Sequence, residues 1–308
     1  MQQYTSLEEL NLNGSWLSIG TFDGVHLGHQ AIIKELVNGA NRDGLPSVVL
    51  TFFPHPAIVL NKRNQSNLLT SPDERAYLLG KLGVDFVITY PFTSAIAQLT
   101  SEDFILQLHK WLKFRWLVVG YDFALGKGRE GNVPRLVELG NQYHFSVEAI
   151  PAVKSMERVI SSSEIRSDIL EGKMVEVKKL LGRNYSISGE VVPGDGRGKL
   201  LNIPTANLAV WPEKAIPKVG VYACLAHYGD NIWRAVTNIG VRPTFLESSK
   251  LIRVETHILG FNGDLYGKML ELEFVNRIRD EIRFENSENL ISQIQKDIAT
   301  TEKVLARM

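Results

Sequence analysis

Two kinds of hydrophobic spacing divide the chain. Up to about residue 185, short and nearly all-apolar runs alternate with stretches of helical period. The runs at 16–20, 47–53, 84–90, 116–120 and 145–150 predict strands covered on both faces, as in a parallel sheet. Between them, residues 30–40 place Ile32, Ile33, Leu36, Val37 and Ala40 on one stripe. Residues 101–113 do the same with Phe104, Ile105, Leu108 and Leu112. Pro72 opens a third helix, where its missing N–H costs nothing, and a further helical stretch covers 163–181. This alternation predicts an α/β domain of the Rossmann-like, doubly wound kind over residues 1–184.

After Gly182 the period becomes two. Residues 219–227, 232–238, 251–259 and 268–275 alternate as half-buried strands, with turn residues at 229–231 and 262–264. A final helix over about 287–306 carries Leu290, Ile291, Ile294 and Ile298 as its stripe. The expectation for residues 185–308 is a small β-barrel with a C-terminal helix. The change of period near 183–187 is abrupt, which leaves no room for a long linker.

Composition narrows the function classes. The 308 residues are 44% hydrophobic and 22% charged, an ordinary globular balance, and the 34 basic residues match the 34 acidic ones. A neutral chain without a long basic run is a poor tracker of nucleic acid. The single cysteine, Cys224, excludes an intrachain disulfide and a thiolate metal cluster. No apolar run approaches the ~18 residues that span a bilayer. The first 13 residues are polar and acidic, without the order of a signal peptide. A cytoplasmic protein is expected.

Candidate chemistry sits first at the end of the first strand. Ser18-Ile19-Gly20-Thr21-Phe22-Asp23-Gly24-Val25-His26-Leu27-Gly28-His29 runs straight into the first helix. An open α/β sheet binds phosphate at this place, under a helix N-terminus. Gly20, Gly24 and Gly28 let the backbone approach a polyphosphate. His26 and His29, three apart on an opening turn, can donate side by side to one phosphoryl group. Each could instead be a polar helix cap. No P-loop signature occurs. A second segment, Ile160-Ser161-Ser162-Ser163-Glu164-Ile165-Arg166, also precedes a helix. It fits a capping box, or a second anion cradle with Arg166 as a fork for phosphate oxygens.

The β-rich half carries its own set. Gly194-Asp195-Gly196-Arg197-Gly198-Lys199 is a glycine-rich basic loop, followed by Asn202-Ile203-Pro204-Thr205-Ala206-Asn207. In an extended segment Thr205 and Asn207 face the same way, and two neutral oxygens suit Mg²⁺. Along 251–259, alternation puts Arg253, Glu255 and His257 on one face. Glu255 reads either as a surface partner of Arg253 or as a carboxylate that accepts a hydroxyl proton in phosphoryl transfer.

With these residues in view, segments 18–29 and 160–166 resemble the nucleotidyltransferase half of the prokaryotic bifunctional riboflavin kinase/FMN adenylyltransferase family, the FAD synthetases. Thr51-Phe52-Phe53-Pro54-His55-Pro56 and Val118-Val119-Gly120-Tyr121-Asp122-Phe123 are similar to further segments of it. Residues 189–207, 219–224, 237–245, 254–268 and 279–284 resemble its riboflavin kinase module, so the likeness covers nearly the whole chain in family order.

The resemblance implies two consecutive reactions. Residues 185–308 would phosphorylate riboflavin from ATP to give FMN. Thr205 and Asn207 would hold Mg²⁺, Gly194, Gly196, Gly198 and Lys199 would cover the nucleotide phosphates, and Glu255 would be the base. Residues 1–184 would then adenylylate FMN from a second ATP, releasing pyrophosphate. Gly20, Phe22, Asp23, Gly24, Gly28 and Ser162 would bind ATP, His26, His29 and Arg166 would stabilise the transferring group, and Asp122 and Phe123 would contact the flavin. The implied partners are ATP, riboflavin and FMN, with neither nucleic acid nor membrane, and oligomeric state is left open. Phe53, Tyr121, Leu125, Lys199 and Asn202 depart from the family pattern and bear on flavin affinity and kinase-loop geometry. Alternatives are a chain with one working half and a non-catalytic flavin-binding relative. Cytidylyl and pantetheine-phosphate transferases also use H-x-G-H but need no β-rich half.

Overall fold

The computed structural model describes residues 1–61, 67–155, 158–194, 203–242 and 251–306. It divides into two compact units, Met1–Ser162 and Ser163–Met308.

The first unit is built on six parallel strands: β1 (Gln2–Tyr4), β2 (Ser15–Ile19), β3 (Ser47–Phe53), β4 (Phe86–Pro91), β5 (Phe114–Gly120) and β8 (Ser146–Ile150), in the order β1-β4-β3-β2-β5-β8. Helices α1 (Leu27–Asp43), α2 (Pro56–Val59), α3 (Pro72–Lys81), α4 (Ser94–Gln98), α5 (Ser101–Leu112) and α6 (Val133–Tyr143) connect them. Two small antiparallel pairs decorate the loops, β6 (Ala124–Leu125) with β7 (Gly131–Asn132) and β9 (Lys154–Ser155) with β10 (Arg158–Val159).

Alternation along the central strands supplies two cores. Leu17, Ile19, Leu50, Leu117 and Val119 face Phe104, Leu108, Leu136 and Leu139 of α5 and α6. Trp16, Val49, Val87 and Val118 face Ile33, Leu36 and Ala40 of α1 and Ala76 and Leu79 of α3. Strands covered on both sides read as continuous apolar runs, which is why the pattern identified them. The edge strand β1 has the sequence Gln-Gln-Tyr, too short and polar to show a period. α6, capped by Asn132, also lies beyond the stretches singled out from the sequence.

In the second unit the helical stretch predicted over 163–181 is two helices, α7 (Ser162–Glu171) and α8 (Met174–Leu181). Gly172, at φ +79°, breaks them apart. Six antiparallel strands close a barrel in the order β11-β12-β15-β14-β13-β16: β11 (Tyr185–Val192), β12 (Ala206–Val210), β13 (Gly220–Tyr228), β14 (Asn231–Arg242), β15 (Leu251–Ile258) and β16 (Met269–Arg279). Ile187, Leu208, Ala223, Ile239, Val254, Leu272 and Phe274 are buried. Cys224 is buried too, and desolvation pushes its thiol up to about 12, so it behaves as an inert small apolar group.

The C-terminal helix, Ser287–Leu305, corrects one detail of its predicted stripe. Its deepest residues are Asp297, Thr301 and Leu305, whereas Leu290, Ile291, Ile294 and Ile298 are only half-buried. Arg279 holds Asp297 in a two-point ion pair, Nε to Oδ1 at 3.0 Å and Nη2 to Oδ2 at 2.7 Å. A polar residue at the deepest contact breaks the apolar period without breaking the packing.

Candidate active sites

In the first unit, β2 is the strand at which chain order reverses. β3 lies on one side of it and β5 on the other, so the crevice beyond their carboxyl ends is the expected ligand position. The loop after β2 tightens at once: the Val25 N–H donates to Phe22 O at 3.0 Å. Phe22, Gly24 and Val25 take φ of +45°, +83° and +41°. Gly24 is needed twice, for its positive φ and because a Cβ would fall 2.6 Å from Leu69 Cδ1.

His26 is the N-cap of α1. Its Nδ1 accepts from the His29 N–H at 3.3 Å, so a neutral His26 carries its proton on Nε2. The capping and phosphate-facing roles are therefore compatible in one ring. The His26 and His29 rings stack, centroids 3.6 Å apart and planes 19° apart. The Phe22 ring meets His29 edge-on at 5.2 Å. Burial, then the neighbouring His26 and Arg75, hold the His29 pKa well below its usual value, so the His29 ring is uncharged at neutral pH. His29 Nδ1 is buried with no hydrogen-bond partner among the described residues.

Three residues of the candidate ATP set act on the loop itself through their side chains. Asp23 is fully buried, and its carboxylate accepts from the Leu69 N–H at 2.9 Å and the Thr70 N–H at 3.1 Å. Ser162 Oγ donates to Asp23 O at 2.9 Å. Phe22 is buried against the second core. Gly20 packs under the Phe22 ring and Gly28 under the His26 ring. Sequence reasoning missed Arg75, which is 1% exposed and binds Thr51 and Thr70 beside this loop; a lone arginine inside an amphipathic helix carries no signal.

Asp122 and Phe123 sit in the turn after β5, closed by the Phe123 N–H on Gly120 O at 3.0 Å. Asp122 is exposed. Phe123 and Leu125 pack at the margin of the first core, while Tyr121 is 51% exposed. Arg166 belongs to α7 in the second unit, where it is buried and Nη2 donates to Ser163 Oγ at 3.3 Å.

The barrel gathers the other set on its outer wall. Asn207 of β12 lies directly opposite Glu255 of β15, and Glu255 opposite Asn238 of β14. Paired residues of an antiparallel ladder share a face, so an amide, a carboxylate and a second amide form one row across three strands. Val254, Thr256 and Ile258 point inward, as the alternation predicts. Arg253 Nη1 reaches Glu255 Oε1 at 3.5 Å, and the His257 ring meets Pro204 O at 2.8 Å. Gly194 lies against the Asn207 side chain, and a Cβ there would collide with its amide. Thr205 is exposed. Asn238 was not singled out from the sequence; only pairing reveals it. Gly196, Gly198, Lys199 and Asn202 lie outside the described residues. Among the described residues, no group of three or more His, Cys, Asp or Glu is placed to hold a metal, and no helix is long and apolar enough to cross a membrane.

Comparison with known proteins matches both units. Residues 8–164 match the FAD synthetase family model and residues 181–305 the riboflavin kinase model. The bifunctional riboflavin kinase/FMN adenylyltransferase of Listeria monocytogenes is 36% identical, covering 95% of this chain and 93% of the relative. That of Escherichia coli K12 is 33% identical over 97% and 95%. A solved chain described as a macrolide-efflux protein from Streptococcus pneumoniae superposes with a TM-score of 0.89 at 30% identity, covering 98% of each chain. The chain belongs to the bifunctional riboflavin kinase/FMN adenylyltransferase family, with the FAD synthetase region ahead of the kinase region.

Proposed function

We propose that the two sites make FAD from riboflavin in sequence, residues 185–308 phosphorylating riboflavin and residues 1–184 adenylylating the FMN formed. The observation that carries this reading is the pairing of two separate polar sites, one on each unit, with two separate family matches. Use of ATP in both steps supports a cytoplasmic place of action.

At the barrel wall, Glu255 takes the proton of the terminal ribityl hydroxyl as the hydroxyl oxygen attacks the γ-phosphorus of ATP and ADP leaves. Asn207 faces that carboxylate across the ladder and Thr205 comes two residues earlier in the chain; their uncharged oxygens are a donor type that fits Mg²⁺. The cation, when bound there, would offset phosphate charge. Gly194 gives the Asn207 amide its room, and residues 194–199 cover the nucleotide phosphates.

At the sheet edge, an FMN phosphate oxygen attacks the α-phosphorus of ATP and pyrophosphate leaves. The stacked His26 and His29 donate N–H groups to oxygens that gain charge in the transition state. A neutral His29 does so as a preorganised dipole, without placing a second full charge beside Arg75. Asp122 and Phe123 border the flavin, and the loop amides at 20–28 receive the nucleotide. No covalent intermediate is required, since positioning and charge neutralisation supply the rate.

Incubating the protein with riboflavin, ATP and Mg²⁺ and separating the flavins tests the reading. FMN should appear first and FAD after it. FMN that never proceeds to FAD would mean one working half, and unchanged riboflavin would mean a flavin-binding relative.

A further inference from the structure

Arg75 is among the largest side chains fully shut away from solvent in this protein. A buried guanidinium has to be matched by acceptors, and here they come from two segments beside the loop after β2. Nη1 donates to Thr51 Oγ1 at 2.9 Å and to Phe52 O at 3.3 Å, both at the end of β3. Nε donates to Thr70 Oγ1 at 3.5 Å and Nη2 to Thr70 O at 3.4 Å.

Each threonine passes the constraint on to the loop. Thr51 Oγ1 donates to Thr21 O at 2.9 Å. Thr70 Oγ1 accepts from the Gly24 N–H at 3.1 Å and donates to Asp23 Oδ1 at 3.3 Å. Arg75 therefore fixes Thr21, Asp23 and Gly24 through two hydroxyls. Its own bonds go to β3 and the segment before α3, so it reaches the chain just ahead of the paired histidines only through them. On this face of α3 its neighbours Ala76 and Leu79 are buried apolar residues, and the charge opposing the guanidinium is the buried Asp23 carboxylate of the loop itself.

We infer that Arg75 is a positioning residue for adenylyl transfer, holding the backbone of residues 21–24 in the conformation that receives the nucleotide phosphates. The inference rests on the reading that this loop is the adenylylation site. It extends that reading to a residue in a different helix, acting through Thr51 and Thr70.

The test uses the full chain, with both reactions measured on each variant. Arg75→Met should lower kcat for FMN adenylylation by about tenfold or more, because a displacement of ~1 Å in a positioning element carries a cost of that order. KM for ATP should stay within about threefold, and riboflavin phosphorylation should be unchanged. Arg75→Lys, which keeps a cation with fewer donors, should recover part of the loss. Thr51→Val keeps the shape and removes one relay, so it should show a smaller loss of the same kind even if Arg75→Met fails to fold. The inference is overturned if kcat of Thr51→Val and Arg75→Lys stays at the wild-type value, or if the variants raise KM alone. His29→Ala separates the two claims. If it spares FAD formation, the site reading fails; if it abolishes FAD while Arg75 and Thr51 variants are silent, only the relay fails.

Discussion

Asn207 and Glu255 face each other directly across the β12–β15 ladder, so one strand pairing brings a candidate metal-side amide and a candidate base to adjacent positions on one wall. Arg253 Nη1 stands 3.5 Å from Glu255 Oε1 on the same wall. Glu255→Gln retains the shape and removes the proton acceptor. FMN formation should fall by about 10²-fold or more, while added FMN is still converted to FAD. Chromatography of flavins from both reactions checks this; loss of both activities would break the separation of sites.

Gly194 offers a gentler handle on the same wall. A methyl group there collides with the Asn207 amide, so Gly194→Ala must turn that side chain or shift the strand end. Riboflavin phosphorylation should fall by about tenfold with little change in FMN adenylylation. Raising Mg²⁺ should restore part of the rate, because the displaced group is a proposed ligand and not the base. A wild-type rate at low Mg²⁺ would remove Asn207 from that role.

His29 makes the first unit sensitive to acid. Its folded pKa is depressed by burial and by His26 and Arg75, whereas in the unfolded chain it protonates near its ordinary value of 6.5. Below 6.5 the unfolded state takes up a proton that the folded state refuses. Stability is therefore full above that pH and falls as pH drops toward the folded value. Urea unfolding from about pH 8 to about pH 5 should show this slope, and His29→Gln should flatten it.

Arg279 and Asp297 make the pin of the C-terminal helix. Asp297 is 3% exposed, and Gln293 adds a bond at 2.9 Å. Arg279→Met would leave a buried carboxylate without its cation, at a cost of about 3–5 kcal/mol. A thermal midpoint lowered by the order of 10 °C is expected. The double replacement with Asp297→Leu should regain much of it, and calorimetry of the two variants distinguishes lost charge pairing from lost packing.

The parts of the molecule legible in the sequence are those with a repeated physical cause. Strands β2, β3 and β5 are buried on both faces, so their apolar runs stand out. His26 and His29 stand out because strand, glycine turn and helix follow one another there, and the structure sets their rings side by side at the start of α1. The stretch 163–181 looked continuous because its apolar stripe persists across Gly172, and only the positive φ there ends the first helix. Asn238 and Arg75 were invisible for another reason. Each acquires its meaning from residues distant in the chain, Glu255 across a ladder and Thr51 across a sheet edge. Asp23 shows the converse, since a residue placed correctly in the loop proves to spend its carboxylate on Leu69 and Thr70.

The ring closure between β11 and β16 leaves the two units with different margins. A cylinder whose last strand is zipped to its first has no frayed margin on which a stray segment can crystallise. The open sheet is therefore the portion that still presents unpaired strand edges, at β1 and β8.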